Sequence, residues 1–298
     1  MLRPIVVGLD GSRESVAAAH WAAREALRQG LPLRVVHACE GTPRENEPVT
    51  LPELTVPRDW ARRVLRGTAD QLTEEYPQVP LSAERIARPA VPALLAEAES
   101  AELLVLGNQG FGGLGGLLAG SVAMAVVARV RTPVVLVRAG FDAVDEHVRN
   151  GDGETSAEGP CRPVVAAVDL RHACDPLLAF AFEAARHRAA PLHVVYAWRL
   201  PNTRAGTNEQ GKRPTQRDAE WVLDSVLEPW KDKYPQVAVH ATAEYGRPGP
   251  AVSRAARSAG LLVLGREVRR GGVGGRTGHV THMAVHQVSC PVAVVAHE

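Results

Sequence analysis

A glycine-rich segment in the first half of the chain is suited to holding a phosphate chain. Gly107 and Gly110 are followed, after nine intervening residues, by Gly120 and Ser121. Glycines let a backbone approach a ligand closely and adopt positive φ, and their N–H groups can form an anion-binding concavity. A serine at the start of a following helix adds a hydroxyl where the helix dipole favours negative charge. The spacing therefore predicts an anion-binding loop, and a plain flexible connection between a strand and a helix is the alternative.

A carboxylate stands at a second strand end. Asp10 follows the apolar run Ile5–Leu9, just as Gly107 follows Leu103–Leu106. A carboxylate can accept hydrogen bonds from a ribose hydroxyl or an adenine amino group. In open α/β sheets, ligands bind beyond the carboxyl ends of the strands, where the strand order reverses. The sequence therefore predicts a ligand site that Asp10 and the glycine loop share.

The elements that must position these residues occur twice along the chain. A period of about 160 residues is too long for a solenoid repeat, so it indicates a duplicated domain. The offset is 159 residues in the first part of each copy and 158 in the later part. The matching segments are Ile5–Asp10 with Val164–Asp169, Leu33–Ala38 with Leu192–Ala197, and Leu103–Gly107 with Leu261–Gly265.

Each copy alternates short runs rich in β-branched residues with longer Ala-rich segments of helical period. Unalternating apolar strands joined by helical crossovers predict an α/β fold with a doubly wound parallel sheet. A length of 298 residues agrees with two domains of about 150 residues each. We predict a first domain at 1–140, a linker at 141–162 and a second domain at 163–298.

Composition excludes several classes of partner. Basic and acidic residues number 34 and 33, and aromatic residues make up 4% of the chain, so neither nucleic acid nor an anionic membrane surface is an expected partner. Glycines interrupt the uncharged stretch Leu103–Ala128, which argues against a membrane span. Four scattered cysteines without a C-x-x-C pair, together with the lack of a visible export signal, predict a cytoplasmic location.

Catalytic motifs are weak or missing. There is no P-loop lysine, and Gly110-x-Gly112-x-x-Gly115 fits the dinucleotide pattern but follows the fourth strand of its copy and lacks the acidic partner. His279, His282 and His286 share a helix face, which favours packing over a metal site, and we expect no protein-bound metal. No general base for water attack is apparent, so we expect at most slow ATP hydrolysis.

Three functions stay open from the residues alone. The first is a nucleotide-binding regulator, and the second is a scaffold whose duplicated sheets only pair with each other or with another chain. The third is an enzyme such as an adenylyl transferase or ATP pyrophosphatase, although neither an H-x-G-H element nor an S-G-G-x-D-S loop occurs in the sequence.

The pattern G-x2-G-x9-G-[ST], the aspartate after the first strand and the final run at 133–137 together resemble the universal stress protein family, in its tandem, ATP-binding form. The resemblance covers nearly the whole chain. It implies two five-stranded parallel sheets that are Rossmann-like and similar to the adenine-nucleotide α-hydrolases, paired through their last strands as a pseudo-dimer or homodimer. It also implies a stress-response regulator with an unidentified signalling partner, which binds ATP or another adenine nucleotide, with Mg²⁺ held through the phosphates. The implied site residues are Gly8, Leu9, Asp10, Ala38, Leu106, Gly107, Gln109, Gly110, Gly120, Ser121, Val122 and Ala123.

The second copy departs from this pattern. Val268 replaces the second glycine, and a valine that must adopt positive φ costs about 1–3 kcal/mol. Arg266, Arg269, Arg270 and Arg276 offer phosphate contacts of their own. We expect the first copy to bind ATP and the second to bind it weakly or not at all. The candidate positions in the second copy are Asp169, Ala197, Gly265, Gly278 and His279, the last of which replaces the serine.

Overall fold

The computed structural model describes residues 2–39, 56–108, 121–148, 156, 159–199, 215–268 and 277–297, with side chains in the segment 56–62 excepted. The chain divides into two compact units. The first unit is built chiefly from residues up to Asp142, and the second chiefly from Ala143 onward. Within these described ranges, each unit has five parallel strands connected by helices.

The first unit has the strand order β3-β2-β1-β4-β5. All of its neighbouring strands run parallel. Its elements in chain order are β1 (Ile5–Gly8), α1 (Arg13–Gln29), β2 (Leu33–Ala38), α2 (Val56–Glu75), β3 (Leu81–Ile86), α3 (Ala90–Ser100), β4 (Leu103–Gly107), α4 (Ser121–Val127) and β5 (Val134–Val137).

The second unit repeats the arrangement in the order β8-β7-β6-β9-β10, again with parallel pairs. Short 3-10 turns lie at Ala143–Glu146 and Ala256–Ser258. Its elements are β6 (Val164–Val168), α5 (Asp175–His187), β7 (Leu192–Trp198), α6 (Gln216–Lys233), β8 (Val239–Tyr245), α7 (Pro248–Ala255), β9 (Leu261–Glu267), α8 (His279–Gln287) and β10 (Val292–His297).

Burial of the central strands on both faces explains their unalternating sequences. Ile5, Val6 and Val7 of β1 are fully buried, as are Val164 and Val165 of β6. Right-handed crossovers put α1 and α2 on one face of the first sheet and α3 and α4 on the other. Contacts within each of these two helix pairs agree with that arrangement. The predicted doubly wound α/β fold is confirmed.

The uncharged stretch Leu103–Ala128 does not form one long helix. Its described residues are chiefly the five of β4 and the seven of α4. Across the described ranges, no helix combines the length and the apolar character that crossing a membrane requires.

The outer strands of the two units are held by different side chains. In the first unit, Arg34 of β2 contacts Glu84 at 2.7 Å and Glu97 at 2.8 Å. The aligned position in the second unit is His193, whose ring faces His240 with 5.1 Å between ring centroids. A network of ion pairs in one copy thus corresponds to a pair of imidazoles in the other.

The first turn of α1 lies directly against the end of β4. A Cβ placed on Gly107 would lie 2.6 Å from the backbone nitrogen of Ser15 and 2.7 Å from the carbonyl carbon of Glu14. Because both of these atoms belong to the backbone, no side-chain rotation can relieve the overlap. Glycine at this position therefore permits the close approach of helix and strand.

Gly107→Ala should consequently lower the free energy of unfolding of the first unit by about 1–3 kcal/mol, because a helix and a strand must move apart. Gly67→Ala is the matched control, since Gly67 lies in α2 with nothing within 4 Å of an added Cβ. The control should stabilise by about 0.5–1 kcal/mol. Hydrogen exchange of β1 and β4 amides measures both effects within the first unit. Equal stability of G107A and wild type would contradict the packing argument.

Candidate functional site

The strand order of the first unit reverses between β1 and β4. These strands are neighbours, with Gly8 opposite Leu106. The chain therefore leaves both strands at the same carboxyl edge, through Leu9 and Asp10 on one side and through Gly107 on the other. Such a switch point is where open α/β sheets bind ligands.

The Asp10 carboxylate is held by a tight turn. Its Oδ1 atom accepts the Ser12 backbone N–H at 2.9 Å and the Ser12 hydroxyl at 2.5 Å. The Asp10 N–H donates to the Ser15 hydroxyl at 3.3 Å. Oδ2 accepts neither of the two bonds from Ser12, and Asp10 is exposed. One carboxylate oxygen thus fixes the turn, and the other remains available as an acceptor.

The same turn begins α1. Gly11 takes a φ of 83°, a left-handed conformation that favours glycine. Ser12 then caps the helix, because its hydroxyl accepts the Ser15 N–H at 3.1 Å. Sequence reasoning did not assign roles to Ser12 and Ser15. The Asp-Gly-Ser run just before a helical segment was the signal that could have found the cap.

The charge of Asp10 follows from these contacts. Burial of part of the carboxyl acts to raise its pKa, but hydrogen bonds from the hydroxyl and amide of Ser12 outweigh burial and hold the pKa below its ordinary value. The carboxylate is therefore ionised at neutral pH. It is an acceptor suited to a hydroxyl or amino group of a ligand.

Further predicted positions surround this edge. Ala38 ends β2. The carbonyl oxygen of the buried Leu9 lies 2.7 Å from Nδ1 of His37. His37 is also buried, and the sequence reasoning did not consider it as a site residue. Ser121, Val122 and Ala123 form the first turn of α4, with Val122 exposed and Ala123 buried. Three other predicted positions, Gln109, Gly110 and Gly120, lie outside the described residues.

In the second unit, the equivalent carboxylate is fully engaged. The Nε atom of Arg171 donates to Oδ1 of Asp169 at 2.8 Å, and one of its terminal nitrogens donates to Oδ2 at 2.6 Å. The Arg171 guanidinium accordingly holds the pKa of Asp169 below its ordinary value. Unlike Asp10, Asp169 directs both of its oxygens to a side chain of its own unit.

The surroundings of Gly265 also differ from those of Gly107. A Cβ on Gly265 would lie 2.7 Å from Nε2 of His297, in place of a helix backbone. The β9–β10 pairing continues two residues past Gly265, to the pair of Glu267 and His297. The N–H of Val268 then donates to the carbonyl oxygen of His297 at 2.7 Å.

This extended pairing overturns the strain expected at Val268. Among the described non-glycine residues, only Ala189 has a positive φ. Val268 therefore does not have the strain that a positive φ would cause, because its backbone continues beside β10. Any difference in binding between the copies must arise from other residues.

The remaining candidates of the second copy are scattered along its elements. Ala197 lies within β7, Gly278 caps α8 without a side-chain bond, and His279 is the first residue of that helix. Arg266 is only 5% exposed, whereas Arg269, Arg270 and Arg276 lie outside the described residues.

The histidine face of α8 does not form a metal cluster in the structure. The rings of His282 and His286 pack with 4.5 Å between centroids. Within the described part of the chain, no group of three or more His, Cys, Asp or Glu side chains is arranged to hold a metal ion.

The two tandem units are doubly wound, and each has an aspartate after its first strand, where the strand order reverses. These features define a duplicated α/β protein of the kind that binds ligands at this position. The sequence matches the Universal stress protein family at residues 1–138 and 160–296. The chain belongs to that family, as the resemblance predicted.

Known relatives match along nearly the full length. Universal stress protein Rv2005c of Mycobacterium tuberculosis is 29% identical over 306 aligned residues, covering 97% of this chain and 96% of the relative. A universal stress protein of Mycolicibacterium smegmatis is 28% identical over 304 residues. The crystal structure of a universal stress protein from Archaeoglobus fulgidus shares the fold, with a TM-score of 0.69, 15% identity and 99% coverage of both chains.

Ser12→Ala should raise the pKa of Asp10 and weaken the start of α1 by about 1 kcal/mol. Because the pKa of folded Asp10 lies below that of the unfolded chain, its stabilising contribution is present at neutral pH and disappears as the pH falls through the folded value. The stability gap between wild type and S12A should therefore narrow in acid. Carboxyl ¹³C titration and urea unfolding measure the two effects.

Ser100→Ala serves as the control, since the Ser100 hydroxyl donates to the Glu97 carbonyl at the end of α3 and lies far along the chain from Asp10. It should leave the Asp10 titration unchanged. The assigned role of Ser12 is refuted if S12A and S100A give the same Asp10 midpoint.

Proposed function

We propose that the first unit binds an adenine nucleotide, ATP with Mg²⁺, at the carboxyl edge between β1 and β4. The observation that carries this proposal is the Asp10 carboxylate, which is ionised, exposed and held through Oδ1 by Ser12 at the switch point of the sheet. Membership of the family agrees with this proposal, because the nucleotide-binding pattern that the sequence shares with it places its residues at this edge.

The residues at this edge fit a nucleoside and its phosphates. Asp10 offers an acceptor for a ribose hydroxyl or an adenine amino group, and β2 and β4 end at the small residues Ala38 and Gly107. Ser121 adds a hydroxyl at the start of α4, where the family pattern expects the phosphates. Bound ATP would supply negative charge that recruits Mg²⁺, with the metal held through the phosphates.

The proposed role is regulatory. Ligand binding stabilises the state that binds it, so nucleotide on Asp10 would favour the conformation in which the Asp10–Ser12 turn and the start of α1 are ordered. A partner that recognises this conformation would respond to nucleotide occupancy. We propose that the chain acts in this way in a stress response, through its own paired units or a homodimer and through a signalling partner.

Asp10→Asn should weaken Mg²⁺-ATP binding about tenfold or more, because a neutral amide oxygen is a weaker acceptor than a carboxylate. Equilibrium dialysis with radiolabelled ATP measures affinity and stoichiometry. Mass spectrometry of small molecules released from freshly purified protein identifies the bound nucleotide. Asp70→Asn is the matched control, because it makes the same change on an exposed position of α2.

Unchanged affinity and stoichiometry in D10N would reject the first unit as the site. Wild-type protein that binds no adenine nucleotide would favour the scaffold hypothesis. Rapid release of labelled phosphate would instead indicate an ATP-hydrolysing enzyme.

A further inference from the structure

The outer strand of the second unit has an open edge. β8 stands at the end of the strand order and pairs with β7 along its whole length, from Val239 to Tyr245. His240, Ala241 and Thr242 in its middle are exposed. An exposed strand edge presents backbone N–H and C=O groups that can pair with a strand of another chain.

The ladder with β7 fixes which backbone groups of β8 face outward. The Leu192 N–H donates to the Ala238 carbonyl oxygen at 2.8 Å, and the Gly246 N–H donates to the Trp198 carbonyl oxygen at 3.0 Å. Because ladder bonds recur at every second residue of a strand, the even-numbered residues of β8 direct their N–H and C=O groups toward β7. The residues whose groups face away from β7 are Val239, Ala241, Ala243 and Tyr245.

One of these outward groups already accepts a bond from a side chain. The amide of Gln216 donates to the Ala243 carbonyl oxygen at 2.6 Å. Gln216 is the first residue of α6, which packs on one face of β8. A carbonyl oxygen has two lone pairs, so it can accept a second bond from an N–H that approaches in the plane of the sheet.

The equivalent edge of the first unit carries charged residues. At the offset of 158, Glu84 and Arg85 of β3 take the positions of Thr242 and Ala243. The Glu84 carboxylate pairs with Arg34 at 2.7 Å. Charged side chains on an edge strand discourage pairing with another chain. The aligned positions of β8 are uncharged, so its edge does not have this protection.

The sequence of β8 complements itself in an antiparallel pair. When Thr242 lies opposite Thr242 of a second copy, Val239 lies opposite Tyr245, and His240 lies opposite Glu244. A β-branched residue facing an aromatic one, and an imidazole facing a carboxylate, are favourable pairs across neighbouring strands. Each half of the seven-residue strand therefore meets a matching half of the second copy.

The same register uses the backbone groups that face outward. In an antiparallel ladder, opposite residues alternate between pairs that exchange two backbone bonds and pairs that exchange none. Ala241 of one copy and Ala243 of the other form a bonded pair, and so do Val239 and Tyr245. Thr242 forms a non-bonded pair with its equivalent, with about 4.5 Å between the two Cα atoms. The register that the side chains favour is therefore one that the backbone can form.

We propose that two copies of the chain associate through their β8 edges, antiparallel and with Thr242 on the two-fold axis. This edge is opposite β10 in the strand order, so the contact differs from the pairing through last strands that the family resemblance implies. It does not depend on nucleotide binding by the first unit. A strand pair of this length is a small interface, so we expect a reversible dimer that forms at about 100 µM and dissociates near about 1 µM.

A charge on the axis gives the first test. Thr242→Lys should weaken association about tenfold or more, because it places two ammonium groups opposite each other. Thr73→Lys is the matched control on an exposed position of α2 and should leave the dimer unchanged. Sedimentation velocity between about 1 and about 100 µM measures both.

Three results of this experiment overturn the proposal. They are a wild type that stays monomeric throughout the range, equal sedimentation of T242K and T73K, and assemblies of more than two chains, which would indicate pairing between unlike edges.

A proline separates the intermolecular bonds from those of the fold. Ala241→Pro removes an N–H that faces away from β7, so it removes a bond of the dimer and none of the β7 ladder. It should abolish the dimer at about 100 µM with the cooperative unfolding transition retained. Ala83→Pro makes the same change at the aligned position of β3 and should leave the dimer intact. A dimer that survives equally in A241P and A83P would contradict the assigned edge.

A disulfide on the axis tests the register by a gain. The expected Cα separation of about 4.5 Å lies within the range that a disulfide spans. Under mild oxidation, Thr242→Cys should give a covalent dimer that reductant dissolves. Thr73→Cys and the wild type, which keeps its four native cysteines, should stay uncrosslinked. No covalent dimer in T242C, or as much in T73C or wild type, would overturn the proposal, even where A241P fails to fold.

Discussion

The geometry of the first unit depends on a contact that leaves no room for a β-carbon. The backbone of Gly107 meets the backbone of the first turn of α1, so the start of that helix is fixed against the end of β4. The Asp10–Ser12 turn leads directly into this first turn of α1, so the same contact fixes the position of the Asp10–Ser12 turn. Backbone packing thereby brings the Asp10 carboxylate, the N-terminus of α1 and the end of β4 to one edge of the sheet. Contacts between exposed side chains would hold this arrangement less firmly.

The second unit shows that the sheet does not depend on this contact. Its strands follow the same order, and the apolar residues of its central strands are likewise buried. At the edge, however, His297 occupies the place of the helix turn, and β9 and β10 pair for two further residues. Burial of the central strands stabilises the fold in both copies, so the edge could change its chemistry without loss of the architecture.

Much of the fold could be predicted from the sequence, because the strands and the duplication follow from regular sequence patterns. Apolar runs such as Ile5–Leu9 located the strands, and the repeat of Asp10 as Asp169 aligned the copies. The expectation of strain at Val268 was wrong, because it assumed that both copies form the same loop. Strand extension and the contact of His297 with Gly265 join residues that lie about 30 apart in the chain, and no local pattern signals them. The hydrogen bonds from Arg171 to Asp169 could have been predicted, because a guanidinium two residues from a carboxylate can fold back onto it.

The different side chains on the outer strands give the two units different sensitivity to acid. Burial, and then the neighbouring His240, hold the pKa of His193 below its ordinary value, so the folded second unit favours the neutral imidazole. Stability from this pair is complete above the ordinary histidine range, near pH 6.5, and declines as the pH falls below it. At the aligned position of the first unit, the ion pairs of Arg34 with Glu97 and Glu84 contain no imidazole. Mild acidification would therefore loosen the contact between β7 and β8 in the second unit, whereas the aligned position of the first unit has no imidazole to protonate. Two copies of one fold thus respond differently to pH at this position.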